Sequence, residues 1–181
     1  MKKGFYCKLA LSNIRKNAKT YIPYILTCIG CVMTFYIILA MSLDPQLQTI
    51  SGGTVTAGYL YAGVTIIAIF SLIFLFYTNS FLMKRRKKEF GIYHVLGMGK
   101  RHIMKCVSLE TLFVSGIGIV AGIAFGVVFA RLMMLLMLRL LAIEAVFSMT
   151  FSPTAAVVTT FVFGCIFLLN LLANMIKIGR N

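Results

Sequence analysis

The chain has 181 residues, 60% of them hydrophobic, with a mean hydropathy of +0.95. A water-soluble domain of this size cannot hide that much apolar surface, so the bilayer is its natural solvent. The formal net charge of +14 would suit nucleic acid on a soluble protein, but the cations flank apolar runs: six precede Tyr21, eight lie in Lys84–Lys105 and two lie in the last five residues. Even the run Lys84–Lys88, which would pass as a nucleic-acid patch, is explained by anionic headgroups and the insertion machinery. Nucleic acid is excluded as a partner.

Residues 1–20 are too polar to span. Phe5, Leu9, Ala10 and Ile14 recur at near-helical spacing, with Lys8, Arg15, Lys16 and Lys19 largely elsewhere. That pattern predicts an amphipathic helix on the membrane surface, and no signal-peptide pattern is clear in it. Residues 21–43 have the length of a first span. Pro23 is expected in its first turn, where a missing N–H costs little, and Asp44-Pro45 ends it. The connection 44–57 carries one acid, no base and two adjacent glycines, so it belongs outside.

A second span, 58–83, delivers the chain to a basic segment, 84–107, which cannot sit in hydrocarbon and which the positive-inside tendency places in the cytoplasm. This segment reads as a short amphipathic helix. Phe90, Tyr93, Leu96 and Met98 give it an apolar face, and Gly91, Gly97 and Gly99 break or tighten its backbone. Residues 108–143 form the third span and an outward continuation. Arg131 and Arg139, eight residues apart on that helix, share a face and can snorkel to the outer headgroups. After the short loop Glu144–Pro153, residues 154–176 form the fourth span, anchored by Lys177 and Arg180. The expected fold is all-α and integral to the membrane. It has four transmembrane helices, an N-terminal surface helix, a short cytoplasmic coupling helix and both termini in the cytoplasm.

In the third span Ser115, Gly118, Gly122 and Gly126 recur every three or four residues. Such a stripe lets another helix approach backbone to backbone; whether that helix belongs to this chain is not readable. Asn79, Asn170 and Asn174 either bond between helices or meet water at the interface. Glu110, at the start of the third span, can pair with Lys105 or Arg101 at the membrane surface or bear on the preceding loop. Cys28 and Cys31 read as small packing residues, and Cys7, Cys106 and Cys165 are scattered without zinc or redox spacing. His94 and His102 have no Cys or carboxylate nearby to complete a metal set. No nucleophile–base set, paired carboxylates or phosphate loop points to catalysis.

The run Lys84–Lys88, the step Glu89-Phe90-Gly91 and the Leu96-Gly97-Met98 that precedes Lys100-Arg101 resemble the loop of FtsX-like ABC permeases. The glycine-striped helix that follows also fits. Within that superfamily the start, FYCKLALSNIRKNAKTYIPYIL, looks most like the bacitracin-export (BceB-type) permeases, which handle antimicrobial peptides. The resemblance implies a membrane subunit in a bacterial cell membrane, paired with a cytoplasmic ABC ATPase. The loop would act as a coupling helix. Matched residue by residue, Glu89, Phe90, Gly91, Leu96, Gly97 and Met98 form the contact segment, with Tyr93 on its apolar face. ATP would bind the partner, and no cofactor is implied for this chain.

Permeases of this type have more spans and a large extracellular domain, so the chain resembles their N-terminal repeat alone. It would be a fragment, a split gene product or a degenerate paralogue. The remaining half of the permease or a sensor histidine kinase is then a further partner. Two functions follow: a permease subunit or half-permease in antimicrobial-peptide resistance or sensing, and a non-transporting scaffold that recruits an ATPase or sensor kinase. A small channel or carrier is disfavoured, because no intramembrane charge pair or broken helix is evident.

Overall fold

The computed structural model describes residues 12–45, 47, 52–95, 99–140 and 152–180; within these, the side chains of 87–90, 92–95, 100, 101 and 180 are not described. Four long helices dominate: α1 (Ala18–Ser42), α2 (Gly53–Val95), α3 (Lys100–Leu140) and α4 (Pro153–Arg180). Each contains a stretch long and apolar enough to cross a membrane. Residues 12–16 are also helical and are set off from α1 by a turn at Asn17. Of the expected surface helix, Phe5, Leu9 and Ala10 lie outside the described residues. Ile14 packs on the core, while Arg15, Lys16 and Lys19 are exposed.

Local chemistry sets the helix ends. Gly52 has φ 80°, a left-handed conformation that a side chain would strain, and it turns the chain into α2. Ser152 Oγ accepts from the Ala155 amide at 3.3 Å, with Pro153 as the first helical residue; this is the favoured arrangement of cap and N1 proline. α1 begins at Ala18, earlier than the expected boundary at residue 21, so Pro23 falls in the second turn. It therefore removes the amide that would bond the Lys19 carbonyl.

α1 is the hub of the bundle. Its buried residues Tyr21, Tyr24, Cys28, Val32, Phe35, Tyr36 and Leu39 are spaced mostly at three or four, and α2, α3 and α4 all pack on it. α2 and α3, neighbours in sequence, hardly touch along the spans. Phe35 of α1 meets Phe163 of α4 edge to face at 5.5 Å between centroids, a favoured aromatic geometry. The outer faces carry exposed Ile66, Ile69, Ile73 and Tyr77 on α2 and Val120, Val128 and Leu132 on α3, as expected of surfaces that meet lipid.

The closest approach is between α1 and α3. A Cβ built on Gly118 would lie 2.9 Å from Cys28 Cβ, one on Gly122 2.6 Å from Val32 Cβ, and one on Gly126 2.8 Å from Tyr36 Cδ1. The three glycines thus face Cys28, Val32 and Tyr36 in register, one turn per step. Ser115, a turn below, is half-buried and bonds its own helix at Leu112. Between α2 and α4, Asn79 and Asn174 exchange amide hydrogen bonds of 2.9 and 3.2 Å, both side chains buried. Asn170 is also buried and donates to the Ile166 carbonyl of its own helix at 3.3 Å. Lys177 Nζ donates to Ser80 Oγ at 2.8 Å and ties the same two helices one step nearer the basic end.

Two outcomes follow from this packing. Gly122→Leu should insert normally but lose about 1–3 kcal/mol of stability in detergent by overpacking against Val32. Gly116→Ala, where a Cβ meets nothing within 4 Å, should change little; equal melting of the two variants would remove the close approach as a source of stability. A double-mutant cycle of Asn79→Ala and Asn174→Ala should give a coupling energy of about 1 kcal/mol, read from unfolding in mixed micelles.

Candidate functional site: the basic end of the bundle

The segment 84–107 is not a separate helix. Residues 84–95 continue α2 without interruption, and residues 100–107 open α3. The reason is local. Lys, Arg and Glu are good helix formers, and no breaker stands between Met83 and Lys88. Gly91 is exposed and remains helical, so it does not break the backbone as the sequence suggested. The Gly99 carbonyl accepts the His102 amide at 2.9 Å and opens α3. Of the expected contact residues, Glu89, Phe90, Gly91 and Tyr93 lie on the last turns of α2, where Gly91 is exposed and the other side chains are not described. Leu96, Gly97 and Met98 lie outside the described residues.

A buried polar network lies deeper in this end. Three successive residues of a helix point about 100° apart, so a run of cations cannot keep every member on one face. Lys84 and Arg85 are exposed, Arg85 over the Phe81 ring at 4.6 Å, while Arg86 turns inward and is 3% exposed. It meets Glu110 of α3, 2% exposed, in a two-pronged ion pair: Nη1 donates to Oε2, and Nη2 donates to Oε1 at 3.2 Å. Tyr21 of α1 accepts from Arg86 Nη1 and donates to Glu110 Oε2 at 2.9 Å. Asn13, from the helical piece before α1, donates to Glu110 Oε1 at 3.0 Å. The Cys106 thiol, one turn before Glu110, lies 3.6 Å from that same oxygen. The guanidinium also sits 5.5 Å from the centre of the Tyr21 ring.

This satisfies the requirement that a buried charge be paired and hydrogen-bonded. Four segments converge on one carboxylate. The hollow beside it, lined by Tyr24, Asn79, Leu82 and Val114 among others, holds only about 10 Å³ and has no room for a substrate. The site is therefore a joint between helices. A larger cavity of about 210 Å³ lies at the opposite end, lined by Tyr36, Asp44, Arg131, Met134 and Pro153. Among the described residues no cluster of three or more His, Cys, Asp or Glu side chains could hold a metal ion.

The sequence reading missed this joint. It paired Glu110 with Lys105 or Arg101, but on a helix those residues lie about 140° and 180° around the axis from Glu110, and Lys105 is exposed. It also found no intramembrane charge pair, whereas Arg86–Glu110 lies at the basic ends of two spanning stretches. A usable signal was present. Ile103, Cys106, Val107 and Val114 flank Glu110 at helical spacing, all four are buried, and the acid falls on their face.

The FtsX-like permease C-terminal family model matches residues 61–180, which include α3, α4, Arg86 and Glu110. Among curated proteins, the bacitracin export permease protein BceB of Halalkalibacterium halodurans is 27% identical over 172 residues, covering 95% of this chain and 26% of that protein. BceB of Bacillus subtilis is 26% identical over 167 residues, 92% of this chain and 26% of its own length. The uncharacterized ABC transporter permease YvcS of Bacillus subtilis is 32% identical over 117 residues, 64% of this chain and 18% of that protein. The chain thus spans about a quarter of the length of the BceB proteins it matches. By a family match that covers most of its length and takes in α3, α4 and most of α2, the chain belongs to the FtsX-like permeases, the membrane subunits of ABC transporters.

Proposed function

We propose that this chain is the permease subunit, or the N-terminal half of one, of an ABC transporter that acts in antimicrobial-peptide resistance or sensing. ATP-driven motion would enter from a cytoplasmic ATPase through residues 89–98. The observation that carries the reading is the length of the two helices flanking that segment. α2 has 43 residues and α3 has 41, which at 1.5 Å per residue is about 65 and 60 Å. The hydrocarbon core takes about 30 Å of that. Both helices therefore have length to spare, and at the basic end the excess is charged. Continuous helices that leave the bilayer together form a stiff mount for a soluble partner. The apolar residues Phe90, Tyr93, Leu96 and Met98 are the part of that mount suited to a groove on the partner.

The antimicrobial-peptide assignment is supported by the BceB relatives, whose names specify bacitracin export. In this reading the basic end and both termini face the cytoplasm, and the extra cations rest against anionic headgroups.

The Glu89→Lys, Leu96→Ala double variant should insert normally but fail to co-purify with the ATPase that captures the parent chain. Full retention would sink the docking role. Capture without peptide-stimulated ATP hydrolysis would instead mark the chain as a scaffold. For orientation, cysteines placed at Gly53 and Ser148 should react with an impermeant maleimide on intact cells above the level of the parent chain. Reaction only after permeabilisation would invert the topology.

A further inference from the structure

We propose that Arg86 and Glu110 are positioning residues for the docking segment: their ion pair sets the separation of the two helix arms that carry it, and Tyr21 and Asn13 fix that separation relative to α1 and the N-terminal piece. The inference rests on the docking role proposed for residues 89–98. It starts from what holds α2 and α3 together. The two helices hardly touch along the spans and pack separately on α1. α3 is fixed to α1 by the glycine stripe, and α2 is tied to α4 by the Asn79–Asn174 pair. At the basic end Met83 of α2 joins Ile103 and Val107 of α3 in a small apolar cluster. Among the described residues, Arg86–Glu110 is a directional bond between the two helices here.

Position gives that bond leverage. α2 continues from Arg86 to Val95, and α3 leads from Lys100 to Glu110, so each arm extends roughly 15 Å beyond the pair. A small change of angle at the pair is carried to the tips. Glu110 cannot relax alone, because its oxygens also take bonds from Tyr21 and Asn13. A neutral side chain at position 110 leaves Arg86 as a buried cation without its counter-charge. The long arginine stem can then swing its head out to the headgroup layer, and α2 loses its tie to α3.

The test uses the full chain in nanodiscs, with spin labels at positions 91 and 102, both exposed and one on each arm. The labels are carried on non-cysteine side chains, so that Cys28 and Cys106 stay in place. The parent should give one narrow distance distribution. Glu110→Gln should widen it and shift it outward. Arg86→Lys, which keeps the charge but offers one nitrogen where the guanidinium offers two, should do the same to a smaller degree. Phe163→Leu, which weakens the distant α1–α4 contact, should lower stability yet leave the distribution as in the parent; a merely structural role for the pair would make all three behave alike. If the docking geometry is then held a tenth of the time, ATPase affinity should fall about tenfold in Glu110→Gln. A parent-like distribution in whichever of the two network variants folds overturns the proposal. A widened distribution, in a chain whose parent form captures no ATPase, leaves the positioning role intact and refutes the docking role instead.

Discussion

In lipid, apolar side chains gain nothing by leaving their solvent for one another, so helix association depends on close packing and on bonds between polar groups. The contact between α1 and α3 meets the first condition. Gly118, Gly122 and Gly126 carry no side chain where Cys28, Val32 and Tyr36 arrive, and the two backbones approach closely for two full turns. The remaining helices are arranged around that pair. α2 packs on α1 from another side, α4 packs on both α3 and α1, and α2 keeps much of its surface exposed. A side chain on the stripe would push α3 away from α1 along this whole contact.

The second condition is met by polar bonds at successive levels toward the basic end. Asn79 and Asn174 form a neutral amide pair between α2 and α4. Lys177 and Ser80 follow one step further along the same helices. Arg86 and Glu110, with Tyr21 and Asn13, form a charged joint. Full charges are tolerated there because the pair is near the end of the spanning stretches and every carboxylate oxygen has donors. Breaking such a pair costs more than forming it gains, since the surviving charge must either stay buried without its counter-charge or leave the joint. The joint therefore works as a constraint on geometry more than as a store of stability.

The four spans were legible in the sequence because twenty apolar residues between charged flanks have few other readings. The glycine stripe was legible as well, since three glycines at intervals of four on a membrane helix define one face; which helix lay on it was not, because α1 advertises its inward face only through residues as ordinary as Cys28 and Val32. Arg86 stayed hidden inside a run of five cations that headgroups explained completely. Telling it from Lys84 and Arg85 takes the phase of a helix that continues past the membrane, and the sequence reading ended that helix at residue 83. The same early end produced a separate coupling helix where α2 and α3 run on to Val95 and from Lys100. Glu110 was assigned partners by proximity along the chain, when its bond comes from another helix at the same depth.

The arrangement also distinguishes the two arms. α3 is seated against the central helix along the glycine stripe, where backbones meet with little compliant side chain between them. α2 packs Val64, Ile67, Ala68 and Leu75 on the core, and its outward residues Ile66, Ile69 and Ile73 are exposed. The carboxylate of the joint sits on α3 and is also bonded to α1 and to the piece before it, whereas the guanidinium comes from α2. In this geometry one carboxylate ties α2, α1 and the N-terminal piece to α3, through Arg86, Tyr21 and Asn13.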